Sequence, residues 1–258
     1  MAITLGQARA ATVAALGGGL FFFAAVGTVL GLAFTNLRLS PAVIWFPLPA
    51  LAVVCGVAAW AQRRFDVGLR LPPRPLWPLL AAFGLTSMIA SHAVLVLEGA
   101  FHGITREFEA PPAQLGAVAA LIWWVGIVVG MSTASEVAFR GIIQTRLAPL
   151  VGVGGAIAAA TAINWISHRW DGLAERAVGV VAILLAWSWL RQLSGSTIAT
   201  LVAHIGAVAA WDIILWRFGP WDHAAMSGGE LVLTAVVGFA ALAASLWIAR
   251  RIHQQCIR

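Results

Sequence analysis

The sequence predicts an all-α fold, a polytopic membrane bundle of about eight transmembrane helices forming a single membrane domain over residues 1–258. Two observations carry this. Hydrophobic residues make up 61% of the chain and charged residues only 10%, with a mean hydropathy of +0.91, too little polar material to wet the surface of a soluble domain. The apolar stretches also follow one another along the whole chain, separated by short polar connectors, as successive bilayer spans do.

Taken in order, the spans fall at about 10–34, 41–61, 76–98, 115–134, 151–167, 177–190, 195–216 and 229–249. The first is too long for a signal-peptide core and lacks a small-residue cleavage pattern with a polar continuation, so it reads as a retained helix. Pro41, Pro47 and Pro49, and the run Gly17 to Gly19, suit lipid-embedded helices, where kinks and close packing are tolerated.

A formal charge of +6 does not signal nucleic acid, because the basic residues stand singly between apolar runs with no basic tail. Anionic lipid headgroups account for it better. All of the basic residues are Arg, which points to a GC-rich, bacterial genome and a cytoplasmic-membrane location. Cys55 and Cys256 have neither CxxC nor metal-ligand spacing.

Orientation follows from the arginines. Arg63, Arg64, Arg70 and Arg74 crowd the second connector, and Arg250, Arg251 and Arg258 follow the last span, which puts both termini in the cytoplasm. Arg9, Arg146 and Arg191 then also lie inside, while Arg38, Arg106, Arg169, Arg176 and Arg217 lie outside. Trp45, Trp60, Trp77, Trp170, Trp216 and Trp221 sit near span ends, as interfacial anchors do.

The informative residues are the ionisable ones inside apolar spans. Glu136 and Arg140 are four apart on a helix expected to continue to about Leu147, a spacing that lets them pair on one face. An intramembrane charge costs roughly 2.5 to 3.5 kcal/mol on insertion scales, so it faces the bundle interior and marks a functional site by default. The alternative is a structural ion pair between helices.

Two histidines join them, His168 at the end of the fifth span and His204 in the seventh; either alone reads as a satisfied core histidine. With a turn near Pro149, Glu136 and His168 lie at similar depths at ~1.5 Å per residue. His204, entering from the same side near Gly195, also reaches that depth. A carboxylate with two imidazoles in a membrane cavity can do general acid/base chemistry on water, stabilise an oxyanion, bind a divalent metal or relay protons. Spacing does not choose among these. No HExxH is present, and Ser135 does not sit in a GxSxG elbow.

At these residues the sequence resembles the type II CAAX prenyl endopeptidase and bacteriocin-processing (CPBP, Abi-like) family of intramembrane proteases, over residues 115–215. Ser135 to Gln144 resembles the motif EExxxR followed by FRG, Asn164 to His168 answers FxxxH, and His204 to Val208 answers HxxxN after the run Trp189 to Ile198. The resemblance implies that the first Glu of motif one and the motif-two His activate water, while the motif-three His and Asn stabilise the oxyanion. Here Ser135 stands for that Glu, Asn164 for the Phe and Val208 for the Asn. Neighbouring α-helical residues point about 100° apart, so Glu136 does not replace the missing carboxylate without rotation or repacking of the helix.

Two functions follow as expectations. One is an intramembrane endopeptidase acting on a membrane-associated protein or peptide, with Glu136, His168 and His204 catalytic and Arg140, Ser135 and Asn164 supporting. It requires no cofactor, with a divalent metal at Glu136, His168 and His204 left open. The other is a catalytically silent relative that binds a membrane protein or lipidated peptide. Membrane lipid is a partner on both readings and nucleic acid on neither. A proton or ion transporter is a third class, disfavoured because the acidic residues in the spans are too few for a continuous relay.

Overall fold

The computed structural model describes residues 12–13, 16–19, 25, 47–103, 117–167, 177–218 and 225–256. Among them no strand occurs, and helices overlap seven of the eight expected spans. In chain order these are α1 (Pro47–Phe65), α2 (Trp77–His102), α3 (Ala117–Ser135), a π-helical segment (Glu136–Gln144), α4 (Thr145–Ser167), α5 (Ala177–Ser194), α6 (Thr197–Phe218) and α7 (Gly228–Cys256). Most of the expected span at 10–34 lies outside the described residues.

Four stretches among the described residues are long and apolar enough to cross a membrane: Arg74–His102, Trp124–Ser167, Ala177–Ser194 and Gly228–Gln255. Thr197–Ala209, the first part of the 22-residue α6, is apolar as well. The stretch Trp124–Ser167 has 44 residues, which at ~1.5 Å each is about 66 Å, roughly twice the ~30 Å hydrocarbon core. It is not one straight span. The break falls at Gly152, whose φ of 75° and ψ of 166° are non-helical and need a residue without Cβ. The helical path therefore runs past Leu147 and past Pro149, where the turn was expected, before it is interrupted.

The chain divides into two compact units, Met1–Leu69 with Ala110–Ala160 and Arg70–Glu109 with Thr161–Arg258. In the first, α1 packs against α3. Gln62 ties down the turn that ends α1, its Nε2 donating to Asp66 Oδ1 at 2.9 Å and its Oε1 accepting from Leu69 N at 2.7 Å. That turn places Val67 in the core, fully buried. Arg146 then clamps it, donating from Nη2 to Phe65 O at 2.8 Å with its guanidinium 5.5 Å from the Phe65 ring centre.

In the second unit α2 packs against α5, α6 and α7. Its apolar core gathers Leu80, Phe83, Met88, Leu95, Leu184, Trp187, Ala203 and Ile252. Close approach is by small residues, as membrane helices require when no hydrophobic drive separates them from lipid. A Cβ added to Gly179 would come within 2.6 Å of Leu95 Cγ. Polar ties supplement this packing, among them Ser245 Oγ donating to Thr86 Oγ1 at 2.8 Å. Helix α7 exposes Val232, Leu233, Val236, Phe239, Leu242 and Leu246, an apolar face suited to lipid.

Candidate functional site

Glu136 opens the π-helix, and all nine residues from Glu136 to Gln144 are buried. The pairing expected from their spacing is present: Arg140 Nη1 donates to Glu136 Oε1 at 3.3 Å, and both side chains are 0% exposed. A π-helix is closed by i→i+5 bonds and is rare, occurring mostly in short pieces within α-helices, frequently at functional sites. Thr145 Oγ1 donates to Arg140 O, five residues back, at 3.1 Å.

This widening amends the α-helical geometry expected for the motif. The preceding residue, Ser135, keeps α-helical angles (φ −60°, ψ −51°), so the phase between Ser135 and the helix before it is ordinary. From Glu136 onward each turn holds an additional residue, which rotates Arg140 and everything after it relative to α3. The glycine that follows Arg140 has a spatial reason to be glycine. A Cβ on Gly141 would lie 3.0 Å from Val67 Cβ and 3.1 Å from Val67 O, so the π-segment rests directly on the backbone of the turn after α1.

Around Glu136 and Arg140 the same stretch buries Ser132, Thr133, Ser135 and Gln144. A run of polar groups at this depth is not demanded by packing, since Ala and Leu would fill the space at no desolvation cost.

In the second unit, Asn164 is fully buried on α4. Ser167 Oγ donates to Asn164 O at 2.5 Å and lies 3.3 Å from Asn164 Oδ1, immediately before His168. His168 itself lies outside the described residues. One helical turn before Asn164, Thr161 Oγ1 is 3.5 Å from Ser188 Oγ of α5, both buried.

His204 is carried by α6, and the start of that helix is well determined by its sequence. Gly195 ends α5 with a φ of 64° and donates its N–H to Arg191 O at 3.0 Å, the left-handed stop that glycine supplies. Ser196 caps α6, its Oγ accepting from Ala199 N at 3.1 Å as an N-cap hydroxyl does, while donating to Arg70 O at 2.5 Å. Half-buried His204 stacks on Trp187 of α5, with ring centres 4.0 Å apart and planes 25° from parallel. Val208 follows one turn later, also half-buried.

Of the residues singled out from sequence, Ser135, Glu136 and Arg140 therefore lie in the first unit, and Asn164, His204 and Val208 in the second. Among the described residues no group of three or more His, Cys, Asp or Glu is arranged to hold a metal ion. Sequence reasoning passed over Trp187, Ser188 and Thr161. Counting outward from Gly195 along its two flanking helices was the available signal for Trp187.

Residues 117–210 match the family model described as type II CAAX prenyl endopeptidase Rce1-like. This Rce1-like domain contains every motif residue named above, from Ser135 through His168 to Val208, and agrees with the family that those motifs resemble. No curated protein and no solved structure matches the chain significantly.

Proposed function

We propose that the chain with this Rce1-like domain is an intramembrane endopeptidase that cleaves a membrane-associated protein or peptide by activating water at Glu136, His168 and His204. The observation that carries this reading is the fully buried Glu136–Arg140 pair inside the Rce1-like segment. Two charges withdrawn from solvent inside an apolar span are retained only at considerable desolvation cost.

In the proposed reaction, His168 accepts a proton from water as the water oxygen attacks the scissile carbonyl carbon. The carbonyl π electrons move onto oxygen, and an N–H of His204 donates to that oxyanion. Collapse of the tetrahedral intermediate re-forms the carbonyl and breaks the C–N bond. The proton held by His168 passes to the leaving amine. Arg140 holds Glu136 and offsets part of its desolvation.

A divalent cation is not part of this proposal. Arg140 Nη1 sits 3.3 Å from Glu136 Oε1, placing a positive charge beside the only carboxylate such an ion could take from that set. The proposal includes integral-membrane placement of the whole chain as one domain, with eight spans and both termini in the cytoplasm.

A second reading is favoured by one observation. Ser135 is buried where the motif has its first Glu, and its hydroxyl has no carboxylate basicity. A silent relative would use the same interior to bind a membrane protein or lipidated peptide.

The test compares membrane-protein termini by mass spectrometry in cells carrying the wild type, a deletion, or His168→Ala/His204→Ala at matched protein levels. The endopeptidase reading expects a cleaved terminus that disappears in both the deletion and the double variant. Unchanged termini, together with rescue of a deletion phenotype by the double variant, would overturn it in favour of the binding protein.

A further inference from the structure

We propose that Trp187 is a positioning residue for His204, fixing the plane in which the imidazole presents its N–H groups; this rests on the reading of His204 as the oxyanion donor.

The placement follows from the hairpin that carries both residues. Helices α5 and α6 are joined through only Gly195 and Ser196 and pack against each other, so they run antiparallel. Trp187 precedes the last residue of α5 by seven, and His204 follows the first residue of α6 by seven. Residues equally far from the turn lie level with each other, about 10 Å from it at ~1.5 Å per residue. The level match is thus a product of the Gly195 stop and the Ser196 cap, each of which fixes where its helix ends.

The stack covers one face of the imidazole, at 4.0 Å and 25°, and leaves its edges. Both ring nitrogens lie in those edges, so whatever they bond must lie near a plane almost parallel to the indole. Hydrogen bonds weaken steeply once the donor angle falls below ~120°. A histidine free to swing about χ2 would therefore lose an oxyanion for much of its range.

The indole is itself immobilised. Trp187 is 4% exposed and belongs to the core cluster with Leu80, Leu184 and Ala203. The next residue, Ser188, is in hydrogen-bonding range of Thr161, seven residues before His168 in the sequence. Rotation of α5 about its axis would break that contact and the stack together.

The experiment uses the full chain in nanodiscs with histidine rings labelled with 13C and 15N. The His204 Cε1–Hε1 resonance is assigned by its loss in His204→Gln, with exposed His253 as the unstacked reference. We expect the His204 ring proton to be shifted upfield in the wild type and in Trp187→Phe, and to move to the reference region in Trp187→Leu. Processing of the terminus defined above should fall at least roughly tenfold in Trp187→Leu, since ~1 Å of misplacement can cost ~100-fold. In Trp187→Phe it should be largely retained, which a need for indole volume alone would not give.

A His204 resonance at the reference position in the wild type overturns the stack. Processing undiminished in Trp187→Leu but lost in His204→Ala overturns the positioning role while leaving the endopeptidase reading intact. Processing undiminished in His204→Ala overturns the role given to His204, and with it this inference. Should Trp187→Leu not fold, equal loss in folded Trp187→Phe and Trp187→Ala, without any change in the resonance, overturns the proposal too.

Discussion

A guanidinium and a carboxylate enclosed together stabilise each other only relative to either one alone. Removing one partner of a buried pair costs ~3 to 5 kcal/mol, whereas replacing both by apolar groups of similar size is often neutral or stabilising. Glu136 and Arg140, both fully enclosed, make that contrast measurable. Arg140→Leu should lower the thermal unfolding midpoint and the folded yield in membranes, and Glu136→Leu/Arg140→Leu should recover most of both. If the double variant folds like wild type yet abolishes processing, the pair serves the site rather than the fold; unchanged stability in Arg140→Leu would remove the buried-pair argument. The same guanidinium makes a second prediction. Because it already neutralises Glu136, a membrane-permeant chelator should leave processing unchanged, and chelator-sensitive processing restored by a single divalent metal would refute the metal-free step. The pairing was legible from the i, i+4 spacing, since that spacing keeps two side chains close in an α-turn or a wider one. The width of the turn was not. Hydropathy and charge spacing report which face a residue occupies, and neither registers whether Gly141 must clear Val67 by shifting the backbone.

At the level of helices, the ends proved more informative than the middles. Most of the expected spans coincide with α1 to α7 because a bilayer demands apolar runs of helical length. The ends depend on single polar groups, some of them remote. The turn at Ser194 to Ser196 is closed locally, as is the start of α7, where Ser227 N donates to Glu230 Oε2 at 2.7 Å and Glu230 N to Ser227 Oγ at 3.3 Å, a capping box. Those signals were present in the sequence. The start of α5 was not readable in that way, because its cap is Glu98, eighty residues earlier on α2. Its two carboxylate oxygens accept from Val178 N at 2.9 Å and Gly179 N at 2.8 Å. An anion at a helix N-terminus satisfies otherwise orphaned donors and meets the positive end of the helix dipole. The contact also holds α5, which carries Trp187 and Ser188, against α2. Glu98→Ala should therefore lower stability by about 1.5 to 3 kcal/mol, the usual worth of hydrogen bonds to a charged group, and Glu98→Gln by less, since one oxygen can still accept. Thermal unfolding in nanodiscs checks the order. Equal stability of all three proteins would mean that water replaces the carboxylate and that packing of Leu95 on Gly179 alone sets the helix.

For the molecule as a membrane protein, the open quantity is which side each connector faces, and the arginines and one aromatic contact bear on it. Helix α7 has 29 residues, about 43 Å at ~1.5 Å per residue, so it overreaches a ~30 Å hydrocarbon core by roughly two and a half turns. The surplus must emerge where the chain turns polar, at Arg250 and Arg251, both exposed. The Arg251 guanidinium lies 5.1 Å from the Trp247 ring centre, a cation over an aromatic face of the kind that anchors helix ends at the headgroup level. Arg63 and Arg64 also lie exposed at a helix end, in the last turn of α1. Clustered arginines stay on the cytoplasmic side, so the connector after α1 and the end of α7 should share that side, and the connector after α2, beginning at Gly103, should lie opposite. Fusions after residues 70, 103 and 258 to a fluorescent protein that matures only in the cytoplasm, and to a phosphatase active only outside, test this directly. We expect fluorescence at 70 and 258 and phosphatase activity at 103. Phosphatase activity at 258 with fluorescence at 70 would require an odd number of crossings between them and would rule out the eight-span topology.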